Sequence, residues 1–298
     1  MKRMVQGMVG MAAVLLGGCA SHTVSNGSKS ETALPAKTGY EVLKGEIYTP
    51  DDWPVELVAD VYKPEGAGDG PSYPAVLVVH GGGWTRRSPS DMDSIAKDLA
   101  KRGLVVINVA YRFAPQHRFP TQLEDLQQAM RWIVENHQTL GVDLDRIGAY
   151  GYSAGAHLVA LLATVDRDDP LTPAWARELP KLKAVVAGGT PTDLRKWPNS
   201  QLVRGLIGAE RDAALDTWTA ASPITHVNGN EPPFFLYHGG LDKLVEPDQA
   251  KDMQAALAEA GVRTELFIKP LHGHVSMFLF GAAVEQATRF LVRELAAG

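Results

Sequence analysis

The segment Gly151-Tyr152-Ser153-Ala154-Gly155 constrains this chain more than any other, because of what flanks it. Residues 146–150 (Arg-Ile-Gly-Ala-Tyr) are short and apolar enough for a buried strand, and residues 156–163 (Ala-His-Leu-Val-Ala-Leu-Leu-Ala) are good helix formers. A serine on so sharp a strand-to-helix turn presents its hydroxyl at the carboxyl edge of a sheet, beside the amides that open the helix. The small residues on both sides suit a backbone that is strained and closely approached. A chain of this length contains Gly-x-Ser-x-Gly by chance about one time in ten. The pattern therefore carries weight only if the rest of a reaction site accompanies it.

The surrounding pattern is that of an α/β protein. Residues 75–79 and 104–109 are continuous apolar runs rich in β-branched side chains, as in strands buried on both faces of a parallel sheet. Helical patterns follow them at 88–102 and 120–137, the second with proline at its first turn. Ahead of these, 41–48 and 56–63 read as two strands joined by the turn at Pro50-Asp51-Asp52. Beyond them come strand 146–150, helix 154–165, strands 182–187 and 233–238, helix 247–260, strand 264–268 and a helix over 282–296. This alternation predicts a mostly parallel eight-stranded sheet with helices on both faces, in one domain over 39–298. Residues 188–231 break the rhythm and carry Trp197, Trp218 and several prolines. They are expected to form a small cap, inserted at about 190–231, over the sheet edge.

The first residues read as an address. Lys2 and Arg3 are followed by a short apolar stretch over 4–18, below the ~20 residues of a membrane span. Leu16-Gly17-Gly18-Cys19 resembles the lipobox of bacterial lipoprotein signal peptides, which implies cleavage after residue 18 and acylation of Cys19. The remaining chain is expected to be exported and held on a bacterial membrane by lipid, facing the periplasm or the cell surface. Residues 19–38, rich in Ser, Thr, Gly and Asn, are expected to be a flexible tether. Cys19 is the only cysteine, so the domain has no disulfide to rely on. A net charge of −5, with no Lys/Arg run, argues against nucleic acid as a partner.

Three further segments carry chemistry. His80-Gly81-Gly82-Gly83-Trp84 follows a buried strand, and successive glycines let backbone amides converge on one point, as an oxyanion requires. A phosphate loop would need a following Lys-Ser/Thr and would open a helix, and this segment does neither. His238-Gly-Gly-Leu-Asp242 puts Asp242 on a loop after the next-to-last strand, where it serves either as an acid or as a helix-preceding cap. Leu271-His272-Gly273-His274 follows the last strand and brings a histidine to the same edge. His272-x-His274 as a metal pair lacks Cys, Glu or Asp partners at matching spacing. The order Ser…Asp…His is that of α/β-hydrolases.

Taken together, the chain from Asp60-Val-Tyr-Lys-Pro64 onward resembles the α/β-hydrolase superfamily. Within it, the likeness is to esterases related to hormone-sensitive lipase and to bacterial carbohydrate or feruloyl esterase-like carboxylesterases. The resemblance rests on the HGGGW loop and on the 111–120 stretch (Tyr-Arg-Phe-Ala-Pro-Gln-His-Arg-Phe-Pro) with Asp125 beyond it. It rests also on GYSAG, Ala221-Ser-Pro-Ile224, the 232–239 stretch with Asp242, and His274-Val-Ser. Tyr152 replaces the aspartate that often precedes the serine in the lipase-related branch, and Ala156-His157 is more like the carbohydrate-esterase branch. The resemblance implies hydrolysis of a short-chain acyl ester, acetyl or aryl esters included, through an acyl-enzyme. Ser153 would be the nucleophile, His274 the base and Asp242 its orienting acid, with the amides of Gly82, Gly83 and Ala154 as the oxyanion hole.

It implies no cofactor and no metal, and a substrate that is either a small molecule or borne on polysaccharide. Trp84, at the mouth of the site, with Tyr152, Trp197 and Trp218, would line the substrate pocket, although aromatic residues in a cap also serve as its own core. Arg112 and Asp125 read as an ion pair bracing a loop, and His157 as a packing or hydrogen-bonding residue. An amidase, formamidase or peptidase would use the same triad. A non-catalytic lipoprotein with a hydrolase fold would normally have lost part of the site, and nothing is missing here.

Overall fold

The computed structural model of the chain describes residues 20–26, 33–68 and 70–296, so the expected signal segment at 1–18 and the expected acylation site, Cys19, lie outside the described residues. Its strands are β1 (Ser21–Ser25), β2 (Tyr40–Ile47), β3 (Val58–Pro64), β4 (Tyr73–Val79), β5 (Val105–Val109), β6 (Val142–Tyr152), β7 (Ala184–Gly188), β8 (Phe234–Gly239) and β9 (Thr264–Lys269). They form one sheet in the order β1-β9-β8-β7-β6-β4-β5-β3-β2. The six strands from β5 across to β9 run parallel, and β3, β2 and β1 are antiparallel to their neighbours. Among the described residues no helix is long and apolar enough to cross a membrane.

The continuous apolar runs are explained by burial on both sides of this sheet. Along β4, Ala75, Leu77 and Val79 point into one core, while Val76 and Val78 point into the other. The first core is covered by α2 (Thr121–Leu140), α3 (Ala154–Thr164) and α6 (Asp248–Glu259), the second by α1 (Asp93–Ala100) and α8 (Gly281–Ala296). A strand packed by helices on both faces has no solvent side, so its sequence shows no polar alternation.

The sheet has nine strands rather than eight. The ninth is β1, which lies within the stretch expected to be a tether. Ser21–Ser25 pairs antiparallel with β9, and His22 Nε2 stands 2.9 Å from Glu265 Oε2. A Ser/Thr-rich segment buries little apolar surface, and its order comes from main-chain pairing with a strand edge 240 residues away, which composition does not report.

Between β7 and β8 lie α4 (Gln201–Ile207), α5 (Leu215–Ala220) and single 3-10 turns at Leu194–Lys196, Arg211–Ala213 and Pro223–His226. Leu194, Val203, Leu206, Trp218 and Ala221 pack into the core that α2 and α3 share. The insertion is therefore continuous with that core, and α4 reaches the glycine loop: a Cβ on Gly83 would sit 3.1 Å from Leu202.

Candidate active site

Ser153 sits between the end of β6 and the start of α3, with φ +55° and ψ −122°. Its amide donates to Gly188 O at 2.8 Å, and its carbonyl takes the first helical bond, from the His157 amide at 3.0 Å. The Ala154 amide, at the first position of α3, has no place in that helical ladder. Glycines flank the turn for a steric reason. A Cβ on Gly151 would strike the Gly155 carbonyl, and one on Gly155 would strike the carbonyl of Val79. β4, the turn and α3 are thus in backbone contact.

The HGGGW loop lies against this turn, since a Cβ on Gly81 would be 3.2 Å from Ser153 Cβ. Gly82, Gly83 and Trp84 have φ of +119°, +61° and +61°, a succession that glycine tolerates and Trp84 does not do freely. Two histidines brace it. His80 Nδ1 donates to Gly81 O at 2.7 Å, and its ring stacks on Tyr111, whose hydroxyl donates to His80 O at 3.1 Å. Trp84 Nε1 donates to His157 Nδ1 at 3.1 Å, and His157 Nε2 donates to Ala221 O at 2.7 Å. Burial pushes both imidazoles down to about 4, so both are neutral near pH 7. The carbonyl contact fixes the proton of His157 on Nε2 and leaves Nδ1 as the acceptor that Trp84 needs. His157 is a hydrogen-bonding residue, with Ser153 served by another histidine.

That histidine is His274, the first residue of α7 (His274–Phe278). Its Nε2 lies 2.9 Å from Ser153 Oγ and its Nδ1 2.6 Å from Asp242 Oδ2. Asp242 follows β8 and is buried, and its Oδ1 accepts the amides of Leu244 and Val245, each at 2.9 Å. Burial pushes its carboxyl up. Hydrogen bonding from His238, from His274 and from the Val245 amide outweighs that and holds it well below the usual carboxylate range. The Tyr152 hydroxyl donates to His274 O at 2.5 Å, with the two rings 5.2 Å apart. His272 faces elsewhere: its ring packs edge-on to Phe280 at 4.6 Å and its carbonyl accepts the Leu241 amide. His274 is thus engaged by Ser153 and Asp242, while the His272 ring rests on Phe280.

A cavity of about 390 Å³ opens beside Ser153, bounded by the glycine loop, Trp84, Tyr152, Trp197, Leu202 and Phe278. Trp84 lines it from beneath, being only 3 % exposed, and so is not at its mouth. Trp197 forms a wall, its Nε1 donating to Glu246 Oε2 at 2.7 Å. Trp218 is not part of the pocket: it is fully buried in the cap, with Nε1 donating to Ala209 O at 3.2 Å. An indole that large ties the insertion into the core that α2 and α3 share. Leu202 and Phe278 line the cavity without any motif to announce them, and α7 is a helix too short for periodicity to reveal.

Arg112 and Asp125 form the expected brace. Asp125, fully buried, accepts from Arg112 Nε at 2.7 Å, from the Arg112 amide at 2.8 Å and from Trp53 Nε1 at 2.9 Å. Asp125→Ala leaves a buried guanidinium short of a partner. It is expected to lower stability by roughly 3–5 kcal/mol and the melting temperature by about 10 °C, while turnover per folded molecule changes less than tenfold. Thermal melts and active-site-titrated kinetics check this. Unchanged melting with abolished turnover would give the pair a chemical role instead.

Residues 59–257 match the family model described as BD-FAE. The chain is 25% identical over 232 residues to the probable carboxylic ester hydrolase LipM of Mycobacterium tuberculosis, across 75% of this chain and 54% of that protein. It is 31% identical over 233 residues to an ethyl acetate hydrolase of Pseudomonas putida, across 73% of this chain and 70% of that one. Among solved structures, the butyrate-bound esterase Est2 of Thermogutta terrifontis superposes with a TM-score of 0.71 at 26% identity, covering 87% of this chain and 96% of that one. The chain spans about half the length of LipM and of two further M. tuberculosis esterases that it matches.

Proposed function

This chain belongs to the BD-FAE family and has the α/β-hydrolase fold, and from that premise we propose that it is a serine carboxylesterase acting on short-chain acyl esters. The observation that carries the reading is the unbroken relay from Ser153 Oγ through His274 to Asp242, at 2.9 and 2.6 Å. Ser153 Oγ attacks the ester carbonyl as His274 Nε2 takes its proton, and the amides of Gly82, Gly83 and Ala154 receive the oxyanion. The C–O bond to the alcohol then breaks, with His274 returning the proton to the leaving oxygen. Water adds to the acyl-serine by the same route, releasing the acid and restoring Ser153. Asp242, ionised and fixed by two amides, keeps the Nδ1 proton of His274 in place and stabilises the imidazolium.

The short-chain preference rests on the cavity. About 390 Å³ must hold both halves of the ester, and bulky residues such as Trp84 and Phe278 are among those that line it. The similarity to an ethyl acetate hydrolase and to a butyrate-bound esterase supports the same reading. On a series of p-nitrophenyl esters from acetate to decanoate, kcat/KM is expected to peak at or below butyrate and to fall at least tenfold by decanoate. A maximum at octanoate or longer would overturn the short-chain reading and leave the triad untouched.

A further inference from the structure

β1 meets the sheet with a polarity that bears on where the site faces. It runs antiparallel to β9, with Ser21 opposite Ile268 and Ser25 opposite Thr264. β9 is parallel to β8, and both end at the edge that carries Asp242 and His274. β1 therefore begins at that catalytic edge and runs away from it. Cys19 precedes Ser21 by two residues, a covalent reach of about 7 Å, so acylation there, which the lipobox resemblance implies, would tie the lipid within that reach of the catalytic edge.

The same edge presents apolar side chains to water. Leu241 and Leu244 follow β8, Leu271 follows β9, Val275 and Leu279 lie on and just beyond α7, and Leu202 is on α4. Their exposure runs from 40% at Leu202 to 72% at Leu279. Six of the ten exposed large hydrophobic residues among the described ones are gathered in these segments, which is concentration rather than scatter. Leu202, Leu244 and Val275 line the cavity, and the other three lie on neighbouring segments.

We propose that this rim seats on a lipid bilayer, so that the cavity opens at the membrane interface and the enzyme takes its ester from an amphiphile resident there. The proposal rests on the ester-hydrolase reading of the site and on acylation of Cys19, and adds where the ester is met. Acyl chains on Cys19 hold the protein at the bilayer, and the pairing of β1 with β9 leaves too little free chain for the domain to swing its catalytic edge away. Leucines at that edge then exchange water for the acyl boundary.

The test uses the full lipid-bearing chain in vesicles of phosphatidylethanolamine and phosphatidylglycerol (3:1). Two substrates are compared: soluble p-nitrophenyl butyrate, and 1-palmitoyl-2-butyryl phosphatidylcholine in the same bilayer. Leu241→Ser/Leu271→Ser/Leu279→Ser, which alters no cavity-lining residue, is expected to keep the soluble activity and to lose at least tenfold on the bilayer ester. Equal rates of wild type and variant on both substrates would overturn the proposal. Absence of turnover on the soluble ester by the wild type would instead remove the underlying esterase reading. A nitroxide on Leu279→Cys reports the occupant directly, with Lys181→Cys, exposed ahead of β7 at the opposite edge, as reference. Protection from an aqueous nickel chelate at residue 279 and not at 181 supports the lipid surface. Spin–spin broadening would point to a second copy of the chain and overturn it, as would an aqueous environment at 279.

Discussion

Ser153→Ala is expected to lower kcat by on the order of 10⁵–10⁶ while leaving the melting temperature within about 2 °C. The activity term is large because the acyl-enzyme route begins with a bond to Oγ, the hydroxyl joined to His274 Nε2. The stability term is small because alanine keeps the Cβ, and with it the same backbone demand at φ +55°, while the amide bond to Gly188 O is main-chain. The removed hydroxyl makes one hydrogen bond, to a histidine that is itself partly accessible to water. Steady-state kinetics on p-nitrophenyl acetate, with labelling by a fluorophosphonate, read the result. A variant that kept more than a few per cent of wild-type turnover, or that still took the label, would sink the nucleophile assignment.

His274→Ala is expected to match that loss within about tenfold, and His272→Ala to cost less than tenfold. The contrast follows from geometry: His274 bridges Ser153 and Asp242, whereas the His272 ring rests on Phe280. Groups that act as one relay do not contribute independently, so Ser153→Ala/His274→Ala is expected to be no worse than either single change. The two histidine variants and the double variant need only kcat/KM on one soluble ester. Greater loss from His272→Ala than from His274→Ala would reverse the assignment, and additive losses would mean that the pair does not work as a unit.

Both predictions concern residues that sequence order alone brought into view. The strand-turn-helix around Ser153 is legible because its signals are local: an apolar run, three small residues and a helix-forming stretch. The glycine loop and the positions of Asp242 and His274 are legible for a related reason. In an alternating β/α chain every loop that follows a parallel strand emerges at the same edge. Knowing the order of strands is then enough to gather four distant segments on one side of the sheet.

Other features depend on partners far along the chain. Trp84 and Trp218 have the same side chain, yet one lines the cavity and the other fills the cap, because Trp84 finds His157 and Trp218 finds Ala209 O. β1 has the composition of a tether and becomes a strand because β9 offers it an unpaired edge. Its direction is set by that pairing.

The sequence by itself determined the α/β architecture, the segment that carries the serine, and the order of the acid and base that follow it, since all of these follow from local periodicity and chain order. Only the tertiary structure decided which tryptophans border the cavity, how the His272 ring comes to rest on Phe280, and where β1 joins the sheet. Those are matters of side-chain direction and edge pairing, fixed to within an ångström by contacts among residues far apart in the chain, and a linear pattern holds no record of them.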